Sequence, residues 1–237
     1  MDAKDRLIIA LDVDTEDRAA ALAAALKDMA GAFKIGFELF SSCGPSVVSR
    51  VAKLGVKIFL DLKFHDIPNT VSRAAAVSAR LGVFMFNVHA LGGYDMMKRS
   101  AESAAAEASR LGIERPKVLA VTVLTSMDDA AIRKVGIGST AQDEVLMLAA
   151  LARSAGLDGV VASPAEARAI RAKLGGDFLI VTPGVRPAWS AAGDQKRVAT
   201  PEEAVAAGAT YIVVGRPVTD AADPAEAAGK ILKEMGR

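Results

Sequence analysis

The feature that most constrains this chain is a recurring phrase. Lys53-Leu54-Gly55-Val56, Arg80-Leu81-Gly82-Val83 and Arg110-Leu111-Gly112-Ile113 each close a helical stretch with a cation, a glycine and a β-branched residue. The cation suits the negative C-terminal end of a helix, and glycine takes the left-handed cap that other residues avoid. The phrases lie 27 and 30 residues apart, and 237 residues divided by eight is also about 30. That is the length of one strand-plus-helix unit. Short apolar runs fill the intervals, at 7–11, 33–36, 57–63, 83–89, 117–124, 159–162, 178–182 and 211–214. They are continuous rather than half-polar, as in parallel strands buried on both faces.

The stretches between the runs open with helix-start signals. Ser163-Pro164-Ala165-Glu166, Thr200-Pro201-Glu202-Glu203 and Asp223-Pro224-Ala225-Glu226 share an N-cap residue, a first-position proline and a glutamate at the third position. Thr140-Ala141-Gln142-Asp143 is a weaker version. Such residues give the orphan N–H groups of a first turn an acceptor. Eight strands alternating with helices predict an α/β fold, a (β/α)8 TIM barrel, as a single domain over residues 1–237. The alternative is an open doubly wound sheet. Against it, no G-x-G-x-x-G follows the first strand, where Leu11-Asp12-Val13-Asp14 stands instead.

Composition excludes several classes. The chain is 51% hydrophobic and 24% charged, too apolar for a disordered chain. Aromatics are only 5%, so aliphatics and alanine must fill the core, with Met96, Met97, Met127 and Met147 as gap-fillers. Lys plus Arg number 29 and Asp plus Glu 28, a net charge of +1. That balance gives no general footprint for nucleic acid or an anionic membrane. The longest uncharged apolar stretches, 19–26 and 145–152, have eight residues each, whereas a membrane span needs about 20. The N-terminal apolar run is too short for a signal peptide. The single cysteine, Cys43, fits a reducing compartment, so a cytoplasmic location is expected.

In a (β/α)8 barrel the chemistry gathers at the C-terminal ends of the strands, and polar residues gather there in this chain. Strand one ends at Asp12 and strand two carries Lys34. Strand three ends with Asp61, Lys63, His65 and Asp66, and strand four with Asn87 and His89. Strand five runs into Thr122, Thr125 and Ser126, strand seven into Thr182, Pro183 and Arg186, and strand eight into Gly215 and Arg216. Residues two apart on a strand share a face, so Asp61 and Lys63 point the same way, opposite Leu60 and Leu62 and towards the barrel axis. Buried charges are costly unless paired. A structural ion pair could account for these two alone, but five charges converging on one mouth argue for a site. Residues 183–199 have no clear period, and a loop of that length is usually functional or disordered. His65 and His89, the only histidines, have no third ligand at metal spacing, so no metal is expected. Cys43 lacks a histidine partner and is not expected to be a nucleophile. Lys57, at the opposite end of strand three, is expected to be structural.

The phrase Asp61-Leu62-Lys63-Phe64-His65-Asp66-Ile67-Pro68-Asn69-Thr70 closely resembles the signature of the orotidine 5′-phosphate decarboxylase family. The resemblance extends, in order, over Ala10-Leu11-Asp12, Phe33-Lys34-Ile35-Gly36, Asn87-Val88-His89-Ala90, Thr122-Val123-Leu124-Thr125-Ser126, Thr182-Pro183-Gly184-Val185-Arg186 and Val213-Val214-Gly215-Arg216-Pro217. It implies loss of CO2 from orotidine 5′-monophosphate to give uridine 5′-monophosphate, with neither metal nor organic cofactor. It implies catalytic roles for Lys63, Asp61, Asp66 and Lys34. Lys63 would stabilise and then protonate the ring carbanion, Asp61 would lie against the substrate carboxylate, and Lys34 and Asp66 would continue the alternation of sign. Asp12, Lys34 and Thr70 match positions near the ribose, and Ser126, with Thr125, the position reading the pyrimidine edge. Arg186, Gly215 and Arg216 match the phosphate grip, and Gln195 the residue bridging phosphate and base from the loop. Ile67 and Pro183 complete the implied substrate contacts. A homodimer is implied too, in which Asp66 and Thr70 reach into the partner's site.

Three other activities compete. Sister enzymes acting on a ketose phosphate through a Mg2+-held enediolate share D-x-K-x-x-D, but place a glutamate metal ligand where Lys34 stands. A Schiff-base aldolase would use Lys63 as a nucleophile, yet an ammonium between carboxylates suits a proton donor better. A non-catalytic phosphate binder would not require the full charged set.

Overall fold

The computed structural model describes residues 1–190 and 199–236. Eight parallel strands close into a barrel in chain order: β1 Leu7–Ala10, β2 Ala32–Ile35, β3 Ile58–Phe64, β4 Met85–His89, β5 Lys117–Val121, β6 Gly159–Val161, β7 Leu179–Thr182 and β8 Tyr211–Val214. The ring closes where β1 pairs with β8, Leu7 opposite Ile212 and Ile8 opposite Val213. All eight expected strands are present and alternate with helices. The fold is the (β/α)8 barrel. The fifth strand is shorter than expected, ending at Val121, and beyond it the Thr122 hydroxyl donates to the Val161 carbonyl at 3.1 Å.

Alternation along each strand makes two cores. Ile8, Ala10, Ala32, Phe59, Met85, Leu119, Val121, Val161, Val181 and Val213 fill the barrel interior. Their strand neighbours, such as Leu7, Ile9, Phe33, Ile35, Leu60 and Ile212, pack outwards under the helices. Aliphatics dominate both layers, as the shortage of aromatics requires. β6 lies so close to β7 that a Cβ on Gly159 would sit 2.2 Å from the Leu179 carbonyl oxygen, so only glycine fits there.

The helices show how local sequence sets the elements. In Tyr94–Leu111, Met97, Ser100, Ala101, Ala104 and Ala108 recur at helical spacing and are buried. The helix ends where Gly112 adopts φ 66°, its N–H reaching the Ala108 and Ser109 carbonyls. Thr200 and Glu203 form a reciprocal capping box, and Thr140 and Asp223 cap their helices through side-chain acceptors. Ser163 departs from this pattern and makes no cap bond. Its hydroxyl donates to the Glu166 carboxylate, which is only 3% exposed and needs a donor more than a frayed helix end does. Met147 also departs from expectation: it lies 48% exposed rather than in the core. No described helix is long and apolar enough to cross a membrane.

Candidate active site

Four charges of alternating sign run across the C-terminal mouth of the barrel. Lys34 Nζ lies 2.9 Å from Asp12 Oδ1 and 3.4 Å from Asp61 Oδ2. Asp61 Oδ1 in turn accepts from Lys63 Nζ at 2.7 Å. Strand periodicity explains the convergence: Lys34 follows Ala32 and Asp61 follows Phe59 on the inward face, above the apolar interior. The charges perturb one another as their burial demands. Burial alone would push the Lys34 ammonium down, but the Asp61 and Asp12 carboxylates outweigh it and hold its pKa above the usual lysine range. Burial would push Asp61 up, yet Lys34 and Lys63, with hydrogen bonds from Lys63 and Asn87, keep it below the usual carboxylate range. Asp61 is therefore held ionised.

The backbone around Lys63 is unusual. Leu60 pairs with Phe86 and Phe64 with Val88, so three residues of β3 face Asn87 alone on β4. Lys63 has φ 46° and is the only non-glycine residue at positive φ among the described residues. Such strain costs on the order of 1–3 kcal/mol and persists only where its surroundings enforce it. Asn87, fully buried, is the β4 residue opposite it. Its Oδ1 accepts from the Lys63 backbone N–H, and its Nδ2 donates to Asp61 Oδ1, both at 2.7 Å. Asn87 carried no assigned role in the sequence. The available signal was a carboxamide between Phe86 and Val88 in an otherwise apolar strand.

A cavity of about 470 Å³ opens beside Lys34. Asp12, Lys34, Pro183, Arg186, Gly215 and Arg216 line it, all foreseen from the sequence. Glu38, Gly184 and Asp220 also line it and were not. A neighbouring cavity shares Arg186, Arg216 and Asp220 and adds Trp189 and Ser190. Lys230 Nζ sits 5.7 Å from the centre of the Trp189 ring. Arg216 opens a short helix directly after β8, and Arg186 N–H bonds the Ala199 carbonyl across the base of the long loop. Gln195 lies outside the described residues.

The remaining foreseen residues stand apart from the line of charges. Asp66, Ile67 and Thr70 are exposed, and the Asp66 carboxylate accepts from the Ile67 N–H at 2.6 Å. Among the described residues, Asp66 makes no hydrogen bond to Lys34 or Lys63. Ser126 is exposed and Thr125 partly buried in the loop after β5. His65 stacks on His89 with ring centres 5.4 Å apart. Among the described residues, no group of three His, Cys, Asp or Glu side chains is arranged to hold a metal ion.

A closed parallel barrel with ionisable groups at the carboxyl ends of its strands defines a (β/α)8 barrel of the enzyme type. Comparison with known proteins gives the particular family. Residues 5–231 match the orotidine 5'-phosphate decarboxylase / HUMPS family, and the chain belongs to it. Orotidine 5'-phosphate decarboxylase of Geobacter sulfurreducens is 55% identical over 233 residues, covering 98% of this chain and 97% of that protein. The protein of the same name from Syntrophomonas wolfei is 51% identical, covering 99% of each chain. The crystal structure of orotidine 5'-phosphate decarboxylase from Lactobacillus acidophilus superposes with a TM-score of 0.86 at 41% identity, covering 98% of this chain and 99% of that one.

Proposed function

We propose that this chain removes CO2 from orotidine 5′-monophosphate to form uridine 5′-monophosphate in pyrimidine nucleotide biosynthesis, using its own side chains alone. Near-full-length similarity to decarboxylases of that name supports the reaction. The single observation that carries the mechanism is the Asp12–Lys34–Asp61–Lys63 line. The departing carboxylate leaves its electron pair on ring carbon 6, which has no adjacent carbonyl to accept it. A fixed ammonium is the group such a carbanion requires. Lys63 Nζ stabilises the developing pair and then transfers a proton to it, so the carbon–carbon bond is replaced by a carbon–hydrogen bond. Asp61, kept ionised by its two lysines, faces the substrate carboxylate, and their repulsion disappears as neutral CO2 leaves. Lys34 holds Asp61 in place and, with Asp12, grips the ribose.

Arg186, Arg216 and Gly215 bind the phosphate from one side of the cavity. The family resemblance assigns Gln195 to the phosphate as well, and Thr125 and Ser126 to the pyrimidine. Asp66, Ile67 and Thr70 serve the site of a second copy of the chain. The detachment of Asp66 from the lysines of its own chain, and the 66% exposure of Ile67, support this reading. The enzyme works in the cytoplasm as a homodimer. Loss of orotidine monophosphate absorbance, with and without EDTA, tests the proposal. Full activity after chelation is expected. An absolute requirement for Mg2+ would refute it and favour an enediolate chemistry.

A further inference from the structure

We infer that Asn87 is a positioning residue that aims the Lys63 ammonium through the Lys63 backbone; this rests on the reading of Lys63 as proton donor. Its two partners fix which way the carboxamide points: the Lys63 N–H can only donate, and the ionised Asp61 can only accept. One buried amide thus ties the strained backbone of Lys63 to the carboxylate that its own side chain engages. The bulge leaves no other β4 residue opposite Asp61, Leu62 and Lys63. Without the Oδ1 acceptor, the part-buried Lys63 N–H loses its partner and φ 46° loses its support. Relaxation of that dihedral swings the side chain away from the reacting carbon. Asp61 Oδ1 would still meet Lys63 Nζ, so the ion pair alone does not define where the ammonium points.

Two substitutions that keep four heavy atoms in the side chain separate this role from packing. Asn87→Leu removes both hydrogen bonds. A displacement of about 1 Å can cost roughly a hundredfold in rate, so kcat should fall by about that factor while affinity for uridine 5′-monophosphate stays within about threefold. In a crystal of Asn87→Leu, Lys63 should return to negative φ. Asn87→Asp keeps the acceptor but sets a second carboxylate against Asp61. The groups facing it are Asp61 and Lys63 on β3 and, through Asp61, Lys34 on β2; its β5 neighbour is Leu119. Two adjacent carboxylates raise one pKa and come to share a proton. The donor is thereby restored as pH falls, so kcat of Asn87→Asp should recover on the acid side, a limb that wild type and Asn87→Leu lack. If Asn87→Leu fails to fold, this pH profile decides alone. A kcat of Asn87→Leu within threefold of wild type overturns the inference. So does a loss of kcat matched by an equal loss of nucleotide affinity, or an Asn87→Asp profile parallel to wild type. Wild-type protein that leaves orotidine monophosphate intact overturns the reaction itself, and the inference with it.

Discussion

Gly36 shows how finely the line of charges is packed. A Cβ there would lie 2.8 Å from Lys34 Nζ and 3.5 Å from Asp12 Oδ1. The Gly36 backbone, at φ −99°, is open to any residue, so Gly36→Ala should displace the ammonium and spare the fold. One charge-assisted hydrogen bond is worth about 1.5–3 kcal/mol. A loss of roughly 10- to 150-fold in kcat/KM with an unchanged melting temperature is therefore expected; unaltered kinetics would show that Lys34 is not so constrained. His89 carries a pH dependence. Burial first, then the nearby His65 and Lys63, push its pKa below 6.5, and its Nδ1 is buried with no hydrogen-bond partner among the described residues. The unfolded chain therefore binds this proton more readily than the folded one. The contribution is intact above about pH 6.5 and is lost as pH falls through the lower folded value. Urea titrations between about pH 7 and pH 5 should show a shallower decline for His89→Asn than for wild type. Equal slopes would assign the decline to other groups.

At the scale of elements, β3 separates what was legible in the sequence from what was not. Its apolar run and the shared face of Asp61 and Lys63 follow from period-two alternation, and the structure has both. The bulge does not follow, because Asp61-Leu62-Lys63 is a sound strand sequence and its irregularity comes from the partner strand. Asn87 was hidden for the same reason: its partners lie on another strand. Ser163 was misjudged because a spacing rule cannot register that Glu166 is buried and competes for the hydroxyl. By contrast, Arg186 and Arg216 come to one cavity because their positions follow from strand ends alone. If those arginines hold a phosphate that does not react, its binding energy must be used at the distant ring. Arg216→Ala should then lose roughly 10- to 150-fold in kcat/KM, the equivalent of about 1.5–3 kcal/mol, and orotidine without its phosphate should lose more. Equal turnover of nucleoside and nucleotide would remove the phosphate from the mechanism.

For the whole molecule, a shared site has an arithmetic consequence. Lys63→Ala and Asp66→Ala subunits, each nearly inactive alone, are mixed equally and allowed to exchange. Half the dimers become mixed, and in each of these one site carries both lesions and the other neither. About one quarter of wild-type activity should return if Asp66 serves its partner and the sites act independently. No recovery, with mixed dimers verified by mass spectrometry, would assign Asp66 to its own chain. The way the barrel closes has a further consequence. The β1–β8 seam joins the two ends of the chain, and the cavity straddles it, with Asp12 on one bank and Gly215 and Arg216 on the other. During synthesis the first bank is made about 200 residues before the second. A nascent chain therefore holds half a binding site until the eighth strand has been added. The entropy of bringing the banks together belongs to a loop of about 200 residues, although that cost rises only with the logarithm of length. A nucleotide across the seam would act as a clasp on the ring, drawing the two ends of the chain towards each other as it is held.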